Sequence, residues 1–136
     1  MNQDMKKIRV MIVEDSAVVT ALLEYCIGRD PRLEVWATAA SAEEALGMLE
    51  RGSPDVIGPD VIAMDIHLPG MDGLEATRRL RAAPHTRHIP IVALSAMDRR
   101  LAETLAMEAG CESFVAKPCP PESLRAFLEN MVAGRT

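Results

Sequence analysis

Apolar segments of two kinds alternate along this chain, and that alternation is its strongest constraint. Short runs rich in β-branched residues are separated by longer stretches whose apolar residues recur at helical spacing. Ile8-Arg9-Val10-Met11-Ile12-Val13 is a run of the first kind. After it, Val18, Val19, Leu22, Leu23, Cys26 and Ile27 repeat at helical spacing until Asp30-Pro31 stops the helix. Residues 33–38 read as a second strand. Ser41, with Glu44 three residues on, opens a second helix as a capping box, and Ala42, Ala45, Leu46 and Leu49 form its apolar stripe. Val61-Ile62-Ala63-Met64 is the third strand and ends on Asp65. A Pro-Gly loop leads into a helix over residues 73–83. Residues 89–94 give the fourth strand, 99–109 the fourth helix, and 113–116 a short fifth strand. Pro120-Pro121-Glu122 opens a last helix with Leu124, Phe127, Leu128 and Met131 on one face.

Five strands alternating with five helices imply an α/β fold, a doubly wound parallel sheet covered on both faces. A length of 136 residues fits a single domain over 1–136, with a core from about 7 to 133. The net charge of −5 and the lack of a Lys/Arg-rich run give no general attraction to nucleic acid. No segment reaches the apolar length of a membrane span, and the polar start of the chain is unlike a signal peptide. Cys26, Cys111 and Cys119 are odd in number and lack metal-ligand spacing, which suits buried or incidental thiols in a cytoplasmic protein.

In such sheets, sites form beyond the carboxyl ends of the strands. Glu14-Asp15, Asp65, Ser95 and Lys117-Pro118 stand at four of those ends, and so on one edge of the domain. Taken singly, each has a plain structural role: a loop start, a turn aspartate, a helix cap, a surface lysine. Their joint placement points to chemistry. Converging carboxylates need a cation or keep a proton. A hard divalent ion such as Mg²⁺ suits oxygen ligands and substrate phosphate. An aspartate can act as a nucleophile towards phosphorus. Lys117 adds a second positive charge, and Ser95 a hydroxyl donor for a phosphoryl oxygen.

Val13-Glu14-Asp15-Ser16, the run from Met64-Asp65-Ile66-His67 through Leu68-Pro69-Gly70 to Met71-Asp72-Gly73, Leu94-Ser95-Ala96 and Phe114-Val115-Ala116-Lys117-Pro118 resemble the signature blocks of response-regulator receiver domains. The resemblance covers nearly the whole chain, and its N-terminal half is nearest to the receivers of chemotaxis methylesterases and single-domain chemotaxis regulators. It implies a flavodoxin-like five-stranded sheet of order 2-1-3-4-5. It implies a phosphoryl group taken onto Asp65 from a histidine kinase or phosphotransfer protein, and enzymatic action limited to self-phosphorylation and autodephosphorylation. By the same resemblance, Asp15 and Asp65 ligate Mg²⁺ directly, Glu14 helps through water, and the His67 backbone carbonyl completes the protein share. Ser95 and Lys117 then read the phosphoryl group, and Phe114 is the switch aromatic. Movement of Ser95 towards the phosphoryl oxygens would vacate space beside Phe114, so the fourth helix, fifth strand and fifth helix are the expected docking surface for a downstream target protein, with Arg99, Arg100 and Phe114 near its centre; the alternative is output on the first helix. A monomer or weak dimer is expected.

This sequence departs from the commonest pattern at Glu14, where Asp is more frequent, and at Ser95, where Thr is equally accepted. His67 and Met97 occupy positions that tune phosphoryl lifetime in the family. Pro54-Asp55-Val56-Ile57-Gly58 is a near-copy of Pro59-Asp60-Val61-Ile62-Ala63 and reads as an insertion at the end remote from the site. Three rival readings are weaker. Asp65-x-His67-x-x-Gly70 also spells a cobalamin-binding loop, but that reading leaves Glu14, Asp15 and Lys117 without a role. An aspartate-nucleophile phosphatase wants an acid two residues past the nucleophile, where His67 stands. A binding module that no longer takes phosphate has no need of Asp65, Ser95 and Lys117. With no effector domain after the last helix, the expected action is docking on another protein, or draining phosphoryl groups from a kinase. The chain is otherwise the excised front of a longer protein.

Overall fold

A computed structural model of the chain describes residues 7–50, 58–96 and 98–117. The order is β1 (Ile8–Val13), α1 (Ala17–Gly28), β2 (Leu33–Ala39), α2 (Ala42–Glu50), β3 (Val61–Asp65), α3 (Gly73–Ala82), β4 (Ile91–Ser95), α4 (Arg99–Ala109) and β5 (Ser113–Ala116). The last helix expected from Pro120 onward lies outside the described residues, as do Met97, Pro118, Cys119 and the first copy of the repeat up to Ile57.

All strand pairs are parallel and the sheet order is β2-β1-β3-β4-β5, as the resemblance implied. Successive strand side chains point to opposite faces, so each inner strand feeds two cores. Met11, Val13, Ile62, Met64, Ile91, Ala93 and Phe114 pack towards α2, α3 and α4. Val10, Ile12, Val61, Ala63, Val92, Leu94 and Val115 pack with Leu23 and Ile27 of α1. This explains why the inner strands read as unbroken apolar runs. The edge strand β2 is only partly buried, and its register with β1 slips at Trp36, since Val10 faces Val35 but Met11 faces Ala37.

Local chemistry sets the element ends. Ser16 caps α1 by accepting the Val19 N–H at 3.2 Å. Ser41 accepts the Glu44 N–H at 3.1 Å, while the Glu44 carboxylate reaches back to the Ala40 N–H at 2.8 Å, one residue earlier than a standard capping box. Asp98 caps α4, which ends at Gly110 with φ +113°. β4 begins two residues later than expected. The Ile89 N–H is taken up in a turn by the Thr86 carbonyl, and Pro90 has no N–H to give a ladder. Cys26 and Cys111 are both buried.

Arg81 ties the end of the domain remote from the strand tips. Its Nε donates to the Gly110 carbonyl at 2.8 Å, and its Nη1 to the carbonyls of Arg87 and Ile89 at 2.8 and 2.7 Å. Charged hydrogen bonds of this kind contribute more than neutral ones, so Arg81→Ala should lower stability by about 2 kcal/mol. Urea unfolding should show a lower midpoint at unchanged slope. An unchanged midpoint would mean that water replaces the guanidinium without loss.

Candidate functional site

The carboxyl ends of β1, β3, β4 and β5 bring Glu14, Asp15, Asp65, Ser95 and Lys117 to one edge of the sheet. Glu14 and Asp65 are buried, at 3% and 2% exposure, whereas Asp15 is exposed. One carboxylate oxygen from each of the three lies within 4.8 Å of the others. Lys117 extends across the edge, and its Nζ donates to Glu14 Oε1 at 2.8 Å and Asp65 Oδ2 at 3.2 Å.

The backbone around each group explains its pose. The Ser16 N–H donates to Glu14 Oε2 at 3.1 Å, so the first turn of α1 holds Glu14 inward. The His67 N–H donates to Asp65 Oδ1 at 2.8 Å, an Asx-type turn that aims the carboxylate at Lys117. The N-terminus of α3 follows after a tight loop. A Cβ on Gly73 would stand 2.2 Å from the Asp65 carbonyl oxygen, so only glycine lets the helix come this near. Gly70, with φ +77°, turns the loop, and Glu43 of α2 steadies it by accepting the Met71 N–H at 3.1 Å. Ser95 is buried on β4 and does not cap α4, the part that Asp98 plays. Its carbonyl accepts the Lys117 N–H at 2.7 Å, and its Oγ lies 3.1 Å from His67 Nε2.

Electrostatics follows from burial and pairing. Burial pushes the Glu14 carboxyl above its ordinary 4.5. Hydrogen bonds from Lys117 and the Ser16 backbone oppose the shift, and the charge of Asp65 adds to it. Burial alone would lower Lys117. Its hydrogen bond to Glu14, the charges of Asp65 and Glu14, and its bond to Asp65 together outweigh that and raise it. Lys117 is therefore a firm cation that offsets one of three clustered negative charges. An all-oxygen donor set with negative charge in excess fits a hard divalent cation, and the exposed Asp15 leaves a way in. Beside it, an open cleft of about 330 Å³ runs between α1 and the end of β2, lined by Asp15, Thr20, Glu24 and Thr38 among others.

Sequence reasoning missed two contacts, the His67–Ser95 bond and the Glu43 brace. Both join residues 28 positions apart through side chains, and only the fold shows their meeting. Phe114 is buried at 7% exposure among Ala102, Ala106 and Cys111, and Arg100 is exposed on α4. Among the described residues, no helix is long and apolar enough to cross a membrane.

The response regulator receiver domain family matches residues 10–129. A protein-glutamate methylesterase/protein-glutamine glutaminase of Paramagnetospirillum magneticum is 47% identical over 83% of this chain, and one of Halalkalibacterium halodurans is 36% identical over 87%. The chain spans about a third of these relatives, 31% and 32% of their length. Among solved structures, a two-component response regulator from Aurantimonas sp. is 31% identical with a TM-score of 0.82, covering 95% of this chain and 87% of that one. The receiver domain of a sensor histidine kinase from Pseudomonas aeruginosa, solved with a magnesium ion in its active-site cleft, is 29% identical with a TM-score of 0.79, covering 93% and 98%. Sequence and fold agree with the residues gathered at the sheet edge, and the chain belongs to the response regulator receiver domains of two-component signalling.

Proposed function

We propose that the chain is one receiver domain, with a core from about 7 to 133, that takes a phosphoryl group onto Asp65 from a histidine kinase or phosphotransfer protein. The observation that carries this reading is the Lys117 ammonium bridging Glu14 and Asp65 beside three clustered carboxylates. Asp15, Asp65 and the His67 carbonyl would hold Mg²⁺, with Glu14 assisting. The ion, when bound, supplies positive charge to the phosphoryl oxygens. The chain's own groups do the rest. A carboxylate oxygen of Asp65 forms the new bond to phosphorus while the bond from phosphorus to the donor imidazole nitrogen breaks, and that nitrogen keeps its electron pair. The His67 N–H and Lys117 fix the attacking carboxylate in place. Ser95 and Lys117 then engage the transferred group.

The altered edge is passed to a downstream target protein through a face built on α4 and β5, with Arg99, Arg100 and Phe114 near its centre. The methylesterase relatives, of which the chain spans about a third, support a chemotaxis-type setting. Incubation with acetyl phosphate and Mg²⁺ should add one phosphoryl mass, mapped to Asp65. An Asp65→Asn protein that labels equally well defeats the assignment.

A further inference from the structure

His67 touches two of the groups on which the proposed phosphoryl site depends. Its backbone N–H holds Asp65 Oδ1 at 2.8 Å, and its ring Nε2 lies 3.1 Å from Ser95 Oγ. Ser95 is fully buried, while His67 is exposed, so the hydroxyl meets the ring from beneath. A serine hydroxyl has one proton and few lone-pair directions. With the ring Nε2 as the acceptor, this bond takes up the hydroxyl's one proton. To serve a phosphoryl oxygen on Asp65, Ser95 must give up that bond.

We propose that the His67 imidazole is a latch on the resting state, holding the Ser95 hydroxyl so that phosphoryl uptake competes with the His67–Ser95 bond. His67 is then a positioning residue, acting through Ser95. The inference rests on the reading of Asp65 as phosphoacceptor. It concerns the balance between resting and occupied states, and it is separate from the rate at which a phosphoryl group is lost. Beryllofluoride isolates that balance, because it mimics the phosphoryl group and is not hydrolysed away.

Removing the ring should therefore tighten beryllofluoride binding in saturating Mg²⁺. One net hydrogen bond corresponds to about three- to tenfold. His67→Ala should show this gain, and His67→Gln, whose amide can again reach Ser95, should return towards wild type. In a Ser95→Ala background, which itself binds more weakly, His67→Ala should have no further effect. Without any ligand, Ser95→Ala should shift the ¹⁵N resonance of the His67 ring Nε2. Wild-type protein that takes no beryllofluoride overturns the phosphoacceptor reading and this inference with it. Wild-type binding with equal or weaker binding in His67→Ala overturns the latch alone. So does a gain that His67→Gln fails to reverse, or an unmoved imidazole resonance.

Discussion

Gly73→Ala is expected to lower the stability of the domain by about 3 kcal/mol, the upper end of what one extra methyl in a packed contact costs. The new Cβ would stand 2.2 Å from the Asp65 carbonyl oxygen, 2.8 Å from Ile66 Cα and 3.0 Å from Asp65 C. All three are backbone atoms, so no rotamer change relieves the clash, and α3 must back away from the end of β3. Helix propensity acts in the other direction, favouring alanine over glycine by about 1 kcal/mol. The sign of the measured change therefore decides which effect governs. A lower urea midpoint, with shifted amide resonances for Asp65 to His67, is the expected result. A midpoint equal to or above wild type would show that the close approach is not maintained in solution.

Lys117→Met should separate the stability of the site from its affinity for a cation. The substitution leaves two carboxylates, 2% and 3% exposed at their side chains, without the ammonium that bridges them. An unpaired buried charge is costly, and a loss of about 2 kcal/mol is expected for the metal-free protein near neutral pH. Removing a positive charge so near the donor oxygens should at the same time raise Mg²⁺ affinity by about tenfold or more. Millimolar Mg²⁺ should then restore stability to the variant more than to wild type, because a ligand stabilises the state that binds it. The pH dependence has a definite sign. The folded Glu14 carboxyl is already raised by burial, so its contribution to stability is fully present below 4.5 and is lost as pH rises through the raised value. Without Lys117 that loss deepens, and the variant's deficit should be largest near neutrality and shrink towards pH 4.5. A deficit that is independent of pH, or Mg²⁺ binding no tighter than wild type, would show that Lys117 is not the counter-charge of this cluster.

The periodic features of the chain were legible before the fold was known. Burial on both faces forces the inner strands to be apolar throughout, so their limits stood out, and α4 and β5 fall where the spacing placed them. Topology then made the strand ends converge, which is why Glu14, Asp15, Asp65, Ser95 and Lys117 could be singled out together. The start of β4 was missed because the apolar Ile89 satisfies a turn, which hydrophobicity alone does not reveal. The His67–Ser95 contact was missed for a different reason. Neither residue has a periodic signature, and they meet because the loop after β3 lies beside the end of the neighbouring β4. Phe114, expected near the centre of a docking surface, is a buried member of the core cluster at 7% exposure.

The hydrogen bond between Lys117 and Glu14 spans 103 positions of the chain. During synthesis, the first carboxylates leave the ribosome long before the lysine that balances them, and β3 and β4 must be laid into the sheet between the two. Nascent chains therefore hold the acidic groups in a solvated, unfocused state until nearly all of the described sequence has emerged. The long separation also implies slow closure relative to a helical bundle of the same size, since parallel pairings bring distant segments together late. The paired cluster at the sheet edge is therefore completed only when a residue 103 positions after Glu14 has joined the sheet.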